Sequence, residues 1–588
     1  MKKNTQNYVC MIPLALWFVI IPLVVKVKFY ANPLAEYPWY SSESSLADFF
    51  LYYKSILITI TGALMIAMLV WQICQMRRKD TLLNTNTRIF IPIIIYLALA
   101  ILSSVFSKYG YFCTHGMPDQ FETIWNLIAY VVALFYCYYV VVYHDSDKPI
   151  FWLVVVGAAL VGAICVLQYF KVDIYRMIYA GDGYTFTFEE GTVYGPFYNT
   201  NYVGFYSLLF VPLFLLLCIC YKEWKVRIIS GVLTCALLIS MIGAESITAV
   251  IVMAGVIAFA IIFILLKNVK TKKLLWIPLA VILIGGIGSC IVAIPRVGAY
   301  LKATNTEKTN LENIYTNDDN VEIDYKGEKL FVQMIQSDDV IAVVLRDQNQ
   351  SEVSCEYVDD DQGYYYTITD ERFSGILVTP VLISEDPAIY GFTVFVDDKS
   401  WCFTNQLTDD GTYYYYTDLG KLTKLNTDTI SADFGPLVNK SFLASGRGYI
   451  WNKTIPLLKD YIFLGSGADT YALVYPNGDF VDKYNNAYDN MVITKPHNMY
   501  LQIAVQTGAL SLICFLVFYL WYFISSLRIY FKQRLDHPLT ITGFAIMLGT
   551  MGYMASGLFN DSTVTITPLY WALLGIGIGI NQRIKAAK

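Results

Sequence analysis

Apolar runs separated by short polar segments dominate the sequence. Twelve of these runs are long enough to cross about 30 Å of hydrocarbon as helices. They cover residues 9–25, 49–71, 89–106, 124–143, 150–170, 202–221, 226–242, 247–266, 274–294, 499–524, 540–559 and 565–580. The first run follows Met1-Lys-Lys and lacks a small-residue cleavage site, so we interpret it as a retained anchor. The pattern predicts a mainly α-helical, polytopic membrane protein with about twelve transmembrane helices.

A long polar segment interrupts this pattern between residues 295 and 498. Within it, short β-prone runs bounded by Asp, Gly, Asn and Pro lie at residues 329–335, 340–345, 364–369, 375–383, 392–396 and 412–417. We predict an inserted small antiparallel β-sandwich at about residues 317–433. Apolar residues at helical spacing then predict a helix at about residues 445–459, with Ser445 as its N-cap, lying along the outer membrane face.

The distribution of lysine and arginine sets the expected orientation. With the N-terminus in the cytoplasm, the inner segments hold twenty of these residues, and the outer segments, apart from the long polar one, hold seven. This positive-inside bias places both termini in the cytoplasm and residues 295–498 outside. The chain is thus predicted to comprise a membrane region of nine helices at residues 1–294, a large extracytoplasmic loop at 295–498, and a membrane region of three helices at 499–588.

Composition agrees with a membrane location. Apolar residues make up 56% of the chain and charged residues 15%, and the mean hydropathy is +0.47, which excludes an ordinary water-soluble protein. The net charge of −5 conceals two opposite parts, because residues 300–497 hold 31 Asp and Glu against 15 Lys and Arg. We therefore expect membrane lipids as partners and no nucleic acid.

Aromatic residues and cysteines leave two questions open in the predicted insert. Its aromatic residues form either a sugar-stacking platform or a sheet core that alternates with the sheet surface; they include Tyr364, Tyr365, Tyr366, Trp401, Tyr413, Tyr414, Tyr415 and Tyr416. Cys355 and Cys402 share the exported part, where a disulfide is allowed but not demonstrated. No CxxC or HExxH spacing occurs and the four histidines are scattered, so we expect no metal.

One histidine stands out by its position. His497 lies where the long polar segment meets an apolar run, so the positive end of a helix dipole favours its neutral form. A neutral imidazole can accept a proton, as a general base must. Asn498 beside it is a candidate ligand or helix cap, and Asp561 in a short outer loop either orients the imidazole, binds substrate or is simply solvated.

Other polar residues mark the outer ends of predicted helices. Arg447 begins the predicted surface helix, where its guanidinium and free backbone N–H groups can hold a phosphate oxygen; the alternative is an arginine that reaches lipid headgroups. Asn199 and Asn201 precede a membrane run and either bind sugar hydroxyls or cap the helix, Asn201 standing where an N-cap belongs.

Three short stretches occur in a characteristic order. They are Gly195-Pro-Phe-Tyr-Asn-Thr-Asn-Tyr-Val-Gly204, then Ser445-Gly-Arg447 with Trp451 and Leu464-Gly-Ser-Gly467, and finally His497-Asn498 with Gly508. With the many-helix layout, they resemble the O-antigen ligase and O-antigen polymerase family of bacterial envelope proteins. The resemblance covers about residues 89–580 and leaves the β-insert without a role.

The resemblance implies a metal-independent glycosyltransferase without a cofactor, at the outer face of the bacterial cytoplasmic membrane. Its donor is a polyprenyl-pyrophosphate-linked glycan, and its acceptor is a hydroxyl on a glycan or lipid-linked glycan. His497 is then the general base and Arg447 the pyrophosphate ligand, since a sugar hydroxyl gains from a base and a departing pyrophosphate from a cation. Ligase and polymerase are equally compatible with these residues.

The sequence departs from the family at one position. Relatives carry a second arginine in a Ser-Arg pair at the outer end of an earlier span, where this chain has Glu245 and Ser246. Arg296, at the outer end of the ninth apolar run, is the nearest candidate to replace that cation, and the alternative is an interfacial anchor.

Two other classes of function remain as alternatives. A transporter or flippase for lipid-linked glycans would carry ionisable residues near mid-membrane and related halves, and neither is evident. A membrane-anchored glycan-binding protein would depend on the β-insert, and His497 would then be incidental.

Overall fold

The computed structural model describes residues 9–77, 87–144, 146–179, 188–268, 309–337, 340–360, 363–385, 388–396, 399–408, 411–418, 421–425, 432–489 and 491–587. Its helices are α1 Ile12–Leu23, α2 Tyr52–Arg77, α3 Ile91–Val105, α4 Gly110–His115, α5 Ile124–Tyr143, α6 Asp147–Tyr169, α7 Ile174–Tyr179, α8 Thr200–Cys220, α9 Trp224–Gly243, α10 Ile247–Asn268, α11 Arg447–Thr454, α12 Tyr471–Val474, α13 Phe480–Asn485, α14 Met499–Thr507, α15 Ala509–Lys532, α16 Pro538–Ser556 and α17 Thr567–Ala586. The chain is mainly helical, as predicted.

Nine helices in the described part of the chain are long and apolar enough to cross a membrane, so the predicted number of twelve is not confirmed. They are α2, α3, α5, α6, α8, α9, α10, α15 and α16. The first apolar run forms only the short helix α1, which contains a π-helical segment at Leu16–Ile20. The run at residues 274–294 lies outside the described residues, and the last run forms the buried helix α17.

The predicted continuous run at residues 499–524 is broken into two helices, α14 and α15, at Gly508. This glycine has φ +101°, and a Cβ there would lie 2.6 Å from the carbonyl oxygen of Phe463. Close approach of the preceding loop therefore requires both the missing side chain and the left-handed backbone. As a result, the candidate histidine lies just before a separate nine-residue helix, whose N-cap is Asn498, and not at the start of the membrane-spanning helix itself.

Segments before α2 and before α8 converge at the start of α2. Lys54, buried at the start of α2, illustrates this convergence because its ammonium donates to the carbonyl oxygens of Val24, Phe50 and Pro196 at 2.7, 3.0 and 2.6 Å. An intramembrane lysine satisfied in this way has a structural role and gives no support to a transport path.

The β-insert forms two antiparallel sheets, in agreement with the predicted sandwich-like domain. A two-stranded hairpin of β1 Lys28–Ala31 and β2 Ser45–Asp48 lies elsewhere, between α1 and α2. The four-stranded sheet consists of β3 Leu311–Thr316, β4 Val321–Tyr325, β5 Glu328–Ser337 and β6 Val340–Asp347, in that order. The seven-stranded sheet runs in sequence order through β7 Cys355–Asp360, β8 Gly363–Ile368, β9 Ile376–Glu385, β10 Ala388–Val396, β11 Lys399–Thr408, β12 Gly411–Asp418 and β13 Lys421–Thr423. The first strand thus begins at Leu311, before the predicted boundary at residue 317.

The aromatic residues of the insert mainly build its core. Trp401, Tyr414 and Tyr416 are buried between the sheets, whereas Tyr413 and Tyr415 lie on the opposite face of β12. There, the ammonium of Lys424 lies 3.7 Å from the centre of the Tyr413 ring. This alternation follows the period of a strand and favours the core interpretation over an open sugar platform. Cys355 and Cys402 are free thiols.

The helix predicted at residues 445–459 is shorter and differently placed than expected. The α-helix spans Arg447–Thr454 and continues as a 3₁₀ segment, Ile455–Lys459. Its N-cap residue is Gly446 with φ +92°, not Ser445. Most of its residues are buried against Tyr471, Tyr475 and other residues of the same polar segment, so the helix is part of a protein core.

Candidate active site

Segments from four parts of the sequence surround one cavity of about 530 Å³ at the end of the helical bundle. The cavity walls include three basic side chains, Arg447, Lys495 and His497, together with Asn201 and Glu245. Ile247, Ile450, Met491 and Ile493 are among its apolar walls. A cavity that combines apolar walls with a few converging polar groups is typical of a site for a small or extended ligand.

His497 and Asp561 form a hydrogen-bonded pair at this cavity. The imidazole Nδ1 lies 3.0 Å from the Asp561 carboxylate oxygen Oδ2. The histidine side chain is 42% exposed, whereas that of the aspartate is 1% exposed. A buried carboxylate that accepts Nδ1–H holds the neutral ring in the tautomer whose Nε2 is free to accept a proton. Asp561 is therefore not a solvated loop residue.

The same aspartate also fixes the backbone beside the histidine. Its second oxygen, Oδ1, accepts the backbone N–H of Asn498 at 3.2 Å. The Asn498 side chain caps α14 by accepting the N–H groups of Tyr500 and Leu501, each at 3.0 Å, and donates to the Leu558 carbonyl. These bonds use the amide as a helix cap, which leaves less capacity for substrate than the sequence prediction assigned to Asn498.

A buried polar network supports the loop that carries Asp561. The hydroxyls of Tyr130 and Ser562 donate to Glu122 Oε1 at 3.0 and 2.7 Å. Gln502 of α14 contributes its side-chain oxygen to the Ser562 N–H at 2.7 Å. Burial raises the pKa of the Glu122 carboxyl to about 7. The network connects α5 and α14 to the loop before α17, which carries Asp561.

Arg447, the first residue of α11, presents an unsatisfied donor at the cavity. Its Nη1 donates to the Ala444 carbonyl at 2.9 Å, but its Nε is buried without a hydrogen-bond partner in the described part of the chain. Burial lowers the pKa of this guanidinium, while the nearby Asp561 raises it. A buried guanidinium N–H without a partner is costly, and an anionic ligand would satisfy it.

Lys495 is a cation of the cavity that the sequence prediction missed. It is buried, its Nζ lies 3.5 Å from the Tyr202 hydroxyl, and it lies 5.9 Å from the centres of the Tyr198 and Tyr202 rings. Burial alone lowers its pKa, but Tyr202, Asp561 and other acidic groups outweigh that effect and raise it, so the ammonium stays charged. Its only sequence signal was its place two residues before His497.

Of the other predicted polar residues, one caps a helix and others line the cavity. Asn199 is the N-cap of α8, because its side chain accepts the backbone N–H of Asn201 at 2.8 Å. Asn201 is therefore not the cap; it lines the cavity, and its Oδ1 accepts the Ser246 hydroxyl at 3.0 Å. Glu245, also at the cavity, replaces the expected family arginine with a negative charge. Arg296 lies outside the described residues.

Four residues at or beside this cavity have a strained backbone. Tyr198, Glu245, Ser445 and His497 have φ values of 75°, 52°, 58° and 49°, in the left-handed region that residues other than glycine rarely adopt. Such strain persists only where surrounding contacts enforce it, and it is frequent at functional sites. The strain, the free guanidinium N–H and the His497–Asp561 pair mark the same place.

Comparison with known proteins identifies a related family over part of the chain. Residues 375–516 match the O-antigen ligase family model. The match starts at the strand β9 region and includes Arg447, Lys495 and His497, so the O-antigen ligase resemblance is confirmed over the segment that builds most of the cavity. No curated protein and no solved structure matches the chain. With the apolar helices, the O-antigen ligase match supports a multi-pass membrane protein with a glycosyltransferase-like function.

Proposed function

We propose that this protein transfers a glycan from a polyprenyl-pyrophosphate carrier to an acceptor hydroxyl at the outer face of the bacterial cytoplasmic membrane. The observation that carries the proposal is the convergence of His497, paired with Asp561, and the cations Arg447 and Lys495 on one cavity. These groups supply a proton acceptor and positive charge, the two requirements of this reaction.

In the proposed reaction, His497 Nε2 removes the proton of the acceptor hydroxyl as its oxygen attacks the anomeric carbon of the donor. The bond between that carbon and the pyrophosphate oxygen breaks, and the polyprenyl pyrophosphate leaves with the electron pair. Asp561 stabilises the imidazolium that forms, because it already accepts the opposite ring N–H at 3.0 Å. A general base of this kind contributes roughly 10²- to 10⁴-fold to a rate.

Arg447 and Lys495 hold the pyrophosphate in this proposal. The free Nε–H of Arg447 and the charged ammonium of Lys495 provide the two cations that the family would place in two arginines. Stabilisation of the leaving group by fixed cations in a partly dehydrated site requires no metal ion. Lys495 thus takes the role that the sequence assigned to Arg296, for which any contribution remains a prediction.

The test is complementation of a strain that lacks the gene. Wild-type protein should restore long surface glycans, and His497→Ala should abolish transfer at an unchanged membrane level while lipid-linked glycans accumulate. His115→Ala is a matched control, because this exposed histidine stacks on Tyr111. Restored glycan with His497→Ala would refute the proposed base. Accumulated single units would indicate a polymerase, and accumulated full-length chains a ligase.

A further inference from the structure

A second group of polar side chains lies next to the cavity, on the far side of Lys495, and takes no part in the mechanism above. It consists of Asp119 and the tyrosines Tyr30, Tyr40 and Tyr198, which we call the tyrosine cluster. Tyr30 belongs to β1, Tyr40 to the loop between β1 and β2, Asp119 to the loop before α5, and Tyr198 to the loop before α8.

Direct contacts hold these loops together. The Tyr30 ring meets the Phe121 ring edge-on, with 5.5 Å between the centres, and Phe121 is two residues from Asp119. The Gln120 side chain donates to the Thr494 carbonyl, which places the Asp119 loop beside Lys495. The Tyr198 ring in turn lies 5.9 Å from the Lys495 ammonium. Lys495 therefore lies between the tyrosine cluster and the cavity.

Asp119 interacts electrostatically with the Lys495 ammonium but makes no side-chain hydrogen bond to another described residue. The residue is exposed, and the surrounding protein raises the pKa of its carboxyl while the Lys495 ammonium lowers it. Among the described residues, no group donates a hydrogen bond to its carboxylate, and its φ of 66° is strained. Its charge raises the pKa of Tyr198 to about 12 and also raises those of Tyr30 and Tyr40, whose burial is the larger cause.

This chemistry distinguishes between ligand classes. A carboxylate with free acceptor oxygens repels anions and favours ligands with several hydroxyl donors. Three phenols offer flat rings for apolar faces and hydroxyls for further hydrogen bonds, and their own hydroxyls have no hydrogen-bond partner in the described part of the chain. An uncharged sugar has both an apolar face and many hydroxyls.

We infer that the tyrosine cluster is a carbohydrate subsite that binds uncharged sugar rings of a glycan substrate, with Asp119 accepting hydroxyl hydrogen bonds. The inference rests on the proposed function for the source of the glycan, which is either the donor or the acceptor. The pyrophosphate then lies on the Arg447 side of Lys495 and the sugar rings on the Asp119 side, with His497 within reach of the reacting atoms.

The test uses full-length protein in nanodiscs and a panel of methyl glycosides: glucoside, galactoside, mannoside, rhamnoside, N-acetylglucosaminide and the anionic glucuronide. Saturation-transfer NMR should detect binding of at least one neutral glycoside and no binding of the glucuronide. Asp119→Asn should weaken that binding by about tenfold, the usual effect of losing a charged hydrogen bond, and Tyr30→Ala should weaken it by removing an aromatic ring from the sugar's apolar face. Asparagine tolerates the left-handed backbone, so Asp119→Asn tests the charge without added strain.

Matched controls are Asp460→Asn and Tyr111→Ala, which alter exposed residues outside both sites. No glycoside binding by the wild-type protein, or equal binding by Asp119→Asn, would overturn the inference. Undecaprenyl pyrophosphate binding, measured in parallel, should be unchanged by Asp119→Asn; its loss would assign Asp119 to positioning Lys495 and also overturn the inference. Glycoside binding without pyrophosphate binding would instead refute the proposed function and leave the subsite intact. A raised KM for only one of the two substrates identifies the glycan that occupies it.

Discussion

The His497–Asp561 pair makes a sharp prediction for the substitution Asp561→Asn. The wild-type carboxylate accepts two N–H groups, the imidazole Nδ1–H at 3.0 Å and the Asn498 backbone N–H at 3.2 Å. An asparagine amide has a single acceptor oxygen, and its nitrogen is a donor. If the oxygen keeps the backbone bond, the amide nitrogen faces Nδ1 and donates to it.

The consequence is the wrong histidine tautomer. A ring that accepts at Nδ1 carries its proton on Nε2, the atom that must receive the acceptor proton. Loss of a positioned general base costs roughly 10²- to 10⁴-fold in rate, or about 3–5 kcal/mol in the activation barrier. The predicted change falls on kcat, because Asp561 is buried and does not form part of the substrate surface.

The assay is glycan transfer by purified protein in nanodiscs, with lipid-linked donor isolated from the deletion strain. Asp561→Asn should lower kcat by at least a factor of about one hundred at a nearly unchanged KM. Asp460→Asn, at an exposed aspartate, is the matched control and should keep wild-type kinetics. Thermal unfolding of both variants excludes misfolding. A kcat for Asp561→Asn within threefold of wild type would refute the assigned role of the pair.

Three further predictions follow from the structure. Arg447→Lys, which lacks the free Nε–H, and Lys495→Met should each weaken undecaprenyl pyrophosphate binding about tenfold by native mass spectrometry, and unchanged affinity would contradict the two-cation site. Burial raises the pKa of Glu122 from 4.5 to about 7, so the folded state binds this proton more tightly than the unfolded state does. The free energy of unfolding should therefore fall by about 3 kcal/mol between pH 4.5 and 7 from this residue, and Glu122→Gln should lack that part of the dependence in thermal unfolding. If the free energy of unfolding of Glu122→Gln depended on pH as it does in the wild type, this role of Glu122 would be disproved. Gly465→Ala should destabilise the protein by about 1–3 kcal/mol, because its Cβ would lie 2.1 Å from the backbone of α14; Gly435→Ala, in open space, should be neutral. Equal melting temperatures for these two variants would contradict the packing described.

The sequence predicted the parts of this fold that follow from composition and periodicity. Long apolar runs and short β-prone runs each produce a local signal, and most became helices or strands near the expected bounds. The break at Gly508 could not be predicted, because it depends on contact with Phe463. That residue is distant in the sequence and close only in the folded structure. The burial of α11 likewise depends on packing partners such as Tyr471, which its own spacing does not reveal.

The candidate site was predicted in part for the same reason. His497 and Arg447 lie at element boundaries, where a polar residue beside an apolar run is conspicuous. Lys495 was missed because a lysine in a polar loop has no distinguishing local pattern; only the fold buries it beside Tyr202. The true cap of α8 was misassigned between Asn199 and Asn201, since helix ends shift by one or two residues relative to any sequence pattern.

The central claim is that one cavity holds the departing pyrophosphate between two cations, with a proton acceptor beside it. An experimental structure with bound undecaprenyl pyrophosphate tests this most directly. The account predicts diphosphate oxygens within hydrogen-bonding distance of Arg447 Nε and Lys495 Nζ, with the His497 imidazole facing the same space. A diphosphate bound at the opposite end of the helical bundle, or in this cavity but away from both cations, would contradict it.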